Sequence, residues 1–225
     1  MATCDLFHKI LDASSAHKDQ DYPRVVIDCN TSITDRTEAI LHGGADPVPE
    51  MVKSAVKLQG MGADVLVMPC NTAHFFYDRV TSFIDIPLIN MLEETAKQIQ
   101  ENGYRKVGLL ATDGTIQSQV YKRVFDKYGI EMIIPDKEGQ RSVMDIIYNG
   151  VKSNNYEIDT QEFKRTIDHM LAEGAETLVL GCTELPIAFE KFGFMEKNLD
   201  PTMILAESAV HYVKKTYHYE ESYYG

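Results

Sequence analysis

Residues 62–72 read Gly-Ala-Asp-Val-Leu-Val-Met-Pro-Cys-Asn-Thr, and residues 174–184 read Gly-Ala-Glu-Thr-Leu-Val-Leu-Gly-Cys-Thr-Glu. The two stretches align without a gap and lie about half of the 225-residue chain apart. Each copy consists of a helix end, a short apolar run that is typical of a buried strand, and then a cysteine followed by polar residues. The repeat therefore predicts two similar halves built of helices and strands.

The same alternation of short apolar runs and longer amphipathic stretches extends along the chain. Strands are predicted at residues 25–27, 65–68, 107–110, 130–134 and 177–180, with a weaker strand at 87–89. Helices are predicted at residues 49–60, 115–128, 143–152, 159–173 and 204–217. Gly129 and Gly174 are expected to end two of these helices, and Asp159 with Glu162 resembles a capping box. A Tyr/Glu-rich tail, residues 217–225, is expected to be loosely ordered.

Alternating strands and helices predict βα units with mostly parallel sheets. The expected fold class is therefore α/β, with two pseudo-symmetric Rossmann-like domains. We expect residues 1–95 plus 205–225 to form the first domain and residues 96–204 to form the second. Ligands of such sheets bind beyond the carboxyl ends of the strands, which places the expected active site in the cleft between the domains.

Composition excludes several classes of protein. The chain has 22 Lys and Arg residues against 34 Asp and Glu, a formal net charge of −12, which argues against a nucleic-acid binder. It has no run of 18 apolar residues and no cationic segment followed by an apolar one, so we expect neither a membrane span nor a signal peptide. The four cysteines are far apart, with no C-x-x-C pair, which argues against a structural zinc site and a disulfide framework. We expect a cytoplasmic protein without a metal.

Two of the cysteines are candidates for chemistry. A buried cysteine is usually a small hydrophobic residue, and Cys4 and Cys29 keep that interpretation. Cys70 and Cys182 differ because they occupy equivalent places in the repeat, each beside a predicted helix start whose free amide groups lower a thiol pKa or hold a carboxylate. A single nucleophile would need one cysteine and a histidine. Two thiols on opposite sides of a ligand suit inversion at a carbon, where one removes a proton and the other delivers one.

These motifs resemble a known family. Residues 68–74, Met-Pro-Cys-Asn-Thr-Ala-His, and residues 180–186, Leu-Gly-Cys-Thr-Glu-Leu-Pro, resemble the two signatures of the aspartate/glutamate racemases, which are cofactor-independent two-cysteine enzymes. The resemblance includes Asp-Arg-Thr at residues 35–37 and Leu-Ala-Thr-Asp-Gly-Thr at residues 110–115. Glutamate racemases typically carry histidine after the second Cys-Thr. Glu184 occupies that position here, which resembles the aspartate racemase branch.

The resemblance implies that Cys70 and Cys182 are the acid/base pair of a racemase, an isomerase that acts on aspartate or glutamate without a cofactor. It also implies a homodimer. Arg36 would grip a carboxylate with its planar fork, and Lys152 would lie near the site, with Tyr148 one turn earlier facing the same way. The α-carboxylate or α-amino group would be bound by three further residues, Asn71, Thr72 and Thr183.

Several of these residues have a second interpretation. Arg36 and Lys152 would, without the resemblance, be taken as solvated surface charges. His74 could polarise the Cys70 thiol, or it could cap or line the cleft. For Thr112 and Thr115 we prefer a helix cap after a strand, although an anion would also suit that position.

The family normally opens with a strand and a glycine-rich turn that resembles G-G-M-G-P. This chain begins at Met1-Ala2-Thr3, which resembles the residues just after that turn, with Thr3 at the edge of the loop. A sheet without that central strand would leave neighbouring backbone groups unpaired. Maleate isomerase or hydantoin racemase chemistry on the same cysteine pair stays open as an alternative function. The missing element keeps open a third one, a non-catalytic protein that binds small anions.

Overall fold

The structure is a computed structural model that describes residues 2–217 of the chain. Its strands are β1 (Lys106–Ala111), β2 (Glu131–Ile133), β3 (Thr177–Gly181) and β4 (Asn198–Leu199). Its α-helices are α1 (Ala2–Ala13), α2 (Arg36–Leu41), α3 (Val48–Gly60), α4 (Tyr77–Thr81), α5 (Met91–Glu101), α6 (Asp113–Gln117), α7 (Val120–Tyr128), α8 (Lys137–Asp145), α9 (Gln161–Ala172), α10 (Glu184–Phe192) and α11 (Pro201–Tyr217). Two 3₁₀ helices, Asp19–Asp21 and Thr72–Phe76, and a π-helix, Ile146–Lys152, complete the set. The predicted tail lies outside the described residues beyond Tyr217.

The second half of the chain is organised by a four-stranded parallel sheet in the order β2-β1-β3-β4. Successive side chains of a strand point to opposite faces, and in β3 Leu178 and Leu180 join one core cluster while Val179 joins the other. The first cluster includes residues of α9, α10 and the π-helix, and the second includes residues of α5 and α7. Helices on both faces explain why these strands are continuous apolar runs, and the predicted α/β class with parallel strands is confirmed.

The first half contains much less regular sheet than the sequence predicts. The predicted strands at 65–68 and 87–89 reduce to one parallel bridge between Leu66 and Leu88. The predicted strand at 25–27 is wrong, since these residues have no strand partner among the described residues and Ile27 is 47% exposed. Residues from 23–31 and from 62–70 line two shared cavities of about 480 and 380 Å³. Among the described residues no backbone hydrogen bond joins the two segments, and a strand needs a partner to form a ladder.

Three helices differ from their predicted form. The helix predicted at 115–128 is divided into α6 and α7 by Gln119, whose φ of 57° is left-handed. The helix predicted at 143–152 begins earlier, as α8, and continues as the π-helix. The capping box predicted at the start of α9 does not form, because the N-cap is Thr160 and not Asp159, and Glu162 pairs with Arg165. The C-terminal cap at Gly129 is confirmed by its left-handed φ of 65°.

Close packing joins the two halves beside the residues of interest. Helix α11 packs on α1 and α5 through a cluster that contains Leu6, Met91 and Leu205. Helix α6 approaches α2 so closely that a Cβ at Gly114 would lie 2.5 Å from the Thr37 hydroxyl. The proposed domain boundaries stay a prediction. Across residues 2–217 we find no helix with the length and apolar character that a membrane crossing requires.

Candidate active site

A small cavity of about 160 Å³ lies where the two cysteine-bearing segments meet. It lies at the carboxyl ends of β1 and β3, the edge where ligands of parallel sheets bind. Ten of the residues singled out in the sequence line it, namely Arg36, Cys70, Asn71, Thr72, Thr112, Tyr148, Lys152, Cys182, Thr183 and Glu184. Three do not line it, namely Thr3, His74 and Thr115.

Cys182 follows β3 directly and its thiol is buried. Its Sγ donates a hydrogen bond of 2.9 Å to Glu184 Oε2, and the Thr183 hydroxyl donates to the same oxygen at 3.1 Å. Burial and the neighbouring Glu184 carboxylate raise the pKa of Cys182 well above its ordinary value. The backbone amide of Glu184 and the Lys152 ammonium act in the opposite direction but are outweighed. For this cysteine the expectation of a lowered thiol pKa is therefore wrong, and Cys182 is a neutral thiol at pH 7.

Cys70 has a different neighbour, the guanidinium of Arg36. Arg36 is the first residue of α2, where the Asp35 side chain caps the helix by accepting a hydrogen bond from the Glu38 amide. Burial works against the charged guanidinium, but Cys70, Asp35 and Tyr148 together raise the pKa of Arg36 above its ordinary value. Arg36 is half-buried and lines the cavity, which is not the position of a solvated surface charge.

The π-helix brings a second cation to the cavity. The wider turn of a π-helix places Lys152 above Tyr148, with Nζ 4.0 Å from the ring centroid. Desolvation opposes the charge on Lys152, but Glu184, Tyr148 and Cys182 raise its pKa above the ordinary value. The cavity thus has a permanent cation near each thiol, Arg36 beside Cys70 and Lys152 towards Cys182. Such a pair of charges suits a ligand with two carboxylates.

Asn71 supplies to the cavity a polar group that has no partner in the described part of the chain. Its side chain is 3% exposed, and its Oδ1 accepts a hydrogen bond of 2.6 Å from the Tyr121 hydroxyl. Its Nδ2 is buried without a hydrogen-bond partner among the described residues. Tyr121 could not be predicted as a site residue, because an aromatic residue on the apolar face of a helix carries no signal that separates it from an ordinary core residue.

Three buried hydroxyls tie the Cys70 segment to β1. Thr72 Oγ1 lies 2.8 Å from Thr115 Oγ1 and 3.2 Å from Thr112 Oγ1, and the latter two are 3.1 Å apart. Each hydroxyl has one proton to donate, so the three can satisfy one another in a ring. Thr112 also caps α6 by accepting from the Thr115 amide, which confirms the preferred helix-cap interpretation.

His74 holds the backbone of Cys70 and does not polarise its thiol. Its Nδ1 lies 2.8 Å from the Cys70 carbonyl oxygen and its Nε2 accepts from the Met91 amide at 3.1 Å. The first contact requires a proton on Nδ1 and the second a lone pair on Nε2, so the ring is neutral. Complete burial lowers the pKa of His74 to about 4. The interpretation in which His74 polarises the thiol is therefore wrong.

We expect His74 to make stability fall as the solution is acidified. The unfolded chain binds a proton at His74 below about pH 6.5 while the folded chain resists protonation to about pH 4. Its contribution is complete above pH 6.5 and is lost towards pH 4, a loss of about 3 kcal/mol at most. Urea unfolding of the parent and His74→Gln at several pH values measures it, and His169→Gln, a change at an exposed site, is the control. An unchanged pH slope in His74→Gln would contradict the assignment.

The remaining sequence candidates lie outside this cavity. Thr3 lines the neighbouring cavity of about 480 Å³, together with Cys29 and Cys70. Cys4 and Cys29 are both exposed, so their interpretation as packing residues is wrong. Cys29 lies in the unpaired segment at residues 24–30, whose exposure follows from its missing ladder. Within the described part of the chain, no group of three or more His, Cys, Asp or Glu side chains could hold a metal ion.

Comparison with known proteins identifies the family of this chain. The model of the Asp/Glu/hydantoin racemase family matches residues 1–209. The chain belongs to this family. Among related proteins of the family, the broad specificity amino-acid racemase RacX of Bacillus subtilis is 30% identical over 215 residues, which cover 93% of this chain and 92% of RacX.

Solved structures of racemases share the fold. The aspartate racemase of Picrophilus torridus superposes with a TM-score of 0.81 at 28% identity, covering 95% of this chain and 89% of that one. A glutamate racemase from Bacillus anthracis superposes with a TM-score of 0.65 at 18% identity, covering 96% and 79% of the two chains. The second likeness concerns the fold alone, and it agrees with a pseudo-symmetric α/β architecture.

Proposed function

We propose that this protein is a racemase that interconverts the L and D enantiomers of an acidic amino acid, aspartate or glutamate. The observation that carries the proposal is that Cys70 and Cys182 line one cavity together with Arg36 and Lys152. Membership of the racemase family supports it. We also expect a homodimer that acts in the cytoplasm on a small molecule, without a nucleic-acid or membrane partner.

In the proposed reaction the two thiols carry one proton between them. Cys70, beside the Arg36 cation, is the proposed base that takes the α-proton, which leaves the electron pair of the C–H bond on the α-carbon. Cys182, which its carboxylate neighbour holds as a thiol, then gives its proton to the opposite face of that carbon. The products are the opposite enantiomer, a Cys70 thiol and a Cys182 thiolate. Because the two thiols share one proton, their protonation is a property of the pair and not of either cysteine alone.

The two cations give this site its proposed substrate preference. One carboxylate of a dicarboxylic amino acid would pair with the Arg36 fork and the other would lie towards Lys152. Asn71 and Thr183 are the polar neighbours proposed for the α-carboxylate or α-amino group. A second candidate is a racemase with a wider range of amino acids, which the likeness to RacX, named as a broad specificity enzyme, favours.

A screen of L- and D-amino acids by circular dichroism tests the proposal. Protein that has been dialysed against EDTA should racemise aspartate or glutamate and show no pyridoxal absorbance, because two thiols suffice for the proton transfer. Activity that spreads over many apolar amino acids would support the second candidate. A requirement for added metal or pyridoxal phosphate, or no exchange of any α-hydrogen in D₂O, would overturn the proposed mechanism.

A further inference from the structure

One buried hydrogen bond links the cavity to the core of the second half. The Tyr121 hydroxyl, on α7, donates to Asn71 Oδ1 over 2.6 Å. The Tyr121 side chain is 1% exposed and packs edge-on against Phe125 with ring centroids 5.1 Å apart. A short bond between two buried groups is well defined in direction, so Tyr121 controls how the Asn71 amide is oriented.

The orientation matters because the two ends of an amide have opposite hydrogen-bonding roles. A buried phenol needs an acceptor for its proton, and Asn71 Oδ1 is that acceptor. The other end of the amide, Nδ2, carries two donor hydrogens and has no partner among the described residues. An unpaired buried donor costs about 1–3 kcal/mol, so its retention calls for a function.

A ligand in the cavity would supply the acceptor that Asn71 Nδ2 lacks among the described residues. Asn71 lines that cavity together with Cys70 and Cys182. The threonine hydroxyls of residues 72, 112 and 115 bond to one another, and none of them accepts a hydrogen bond from Asn71 Nδ2. An oxygen of a bound carboxylate would complete the hydrogen bonding of Nδ2.

We propose that Tyr121 is a positioning residue of the active site, which holds the Asn71 amide with Nδ2 ready to donate to a carboxylate oxygen of the substrate. The inference rests on the proposed function and names one further residue of that site. Without the Tyr121 hydroxyl, the amide can rotate and present Oδ1 to the carboxylate, an oxygen that repels it. In the proposed site Tyr121 acts through Asn71 and contacts neither the substrate nor a thiol.

The test is Tyr121→Phe, which removes the hydroxyl and keeps the ring that packs on Phe125. We expect kcat/KM for the proposed acidic amino acid to fall about 10- to 100-fold, the size of a lost hydrogen bond to a charged group. The loss should reside mainly in KM if the amide binds the ground-state carboxylate. Tyr128→Phe is the matched control, because Tyr128 lies on the same helix and packs on the same core cluster.

A double-mutant cycle separates positioning from packing. Once Asn71→Ala has removed the amide, Tyr121→Phe should have no further effect on kcat/KM. A purely structural role would lower the melting temperature and act additively in the cycle. Either an additive effect or parental kinetics in Tyr121→Phe would overturn the inference.

A binding measurement distinguishes a failure of this inference from a failure of the proposed function. If the parent binds aspartate in calorimetry without racemising it, the proposed function fails, and a weaker Kd in Tyr121→Phe still supports positioning. An unchanged Kd would then overturn it. If the parent neither binds nor racemises an acidic amino acid, both proposals fall together.

Discussion

Each of the single changes Cys70→Ser and Cys182→Ser is expected to reduce racemisation by about 1,000-fold or more. A serine hydroxyl is a much weaker acid than a thiol and a poor base near neutral pH, and general acid–base catalysis contributes about 10²- to 10⁴-fold. Both thiols are required if one takes the proton and the other returns it. The rate of loss of circular dichroism from L- and D-aspartate measures the effect.

Each serine variant retains one working thiol on one face of the α-carbon. We therefore expect it to exchange the α-hydrogen of one enantiomer with D₂O, and we expect the two variants to prefer opposite enantiomers. The controls are Cys4→Ser and Cys29→Ser, which change exposed thiols that do not line the cavity with both candidate cysteines. Parental racemisation by Cys182→Ser combined with an inactive Cys70→Ser would favour a single-nucleophile enzyme instead.

Arg36→Ala is expected to weaken the use of aspartate much more than the use of alanine. Removal of one partner from a desolvated, charge-assisted pair costs about 2–5 kcal/mol, which is about 30-fold to several thousand-fold in kcat/KM. Arg36→Lys should restore only part of the loss, because an ammonium cannot form the bidentate contact. Arg165→Ala is the control, since Arg165 is exposed and pairs with Glu162 on the surface of α9.

The comparison of the two amino acids distinguishes two roles of the same guanidinium. A loss confined to aspartate assigns Arg36 to the side-chain carboxylate. A loss of equal size for both amino acids assigns it to a group that both reactions use, the α-carboxylate or the Cys70 side chain that Arg36 neighbours. Kinetics equal to the parent for both amino acids would contradict both roles.

Some of the fold and of the site could be predicted from local sequence patterns. The runs at 107–110 and 177–180 are short, mostly apolar stretches that are typical of a strand covered on both faces, and they pair as β1 and β3. The repeat placed Cys70 and Cys182 after equivalent runs, and ten of the predicted site residues line one cavity. The two strands could be predicted because the burial pattern of a strand depends on adjacent residues, whereas the roles of the ten cavity residues stay predictions.

Contacts between distant segments were decided by the tertiary structure. Residues 25–27 have an apolar strand pattern but no ladder partner among the described residues, because pairing depends on which segment lies alongside. His74 is neutral because Met91 and the Cys70 carbonyl surround it, and the thiol of Cys182 is held by the Glu184 carboxylate.

The Asn71 amide likewise has one property that the sequence determines and another that depends on tertiary contacts. The sequence by itself determined that an asparagine follows Cys70, and the family resemblance implied that it binds substrate. Only the tertiary structure brought the Tyr121 hydroxyl, 50 residues further along the chain, to its Oδ1 and left Nδ2 without a partner among the described residues. Residue types and local periodicity are properties of the chain, whereas burial, protonation and the direction of a hydrogen bond depend on neighbours that folding supplies.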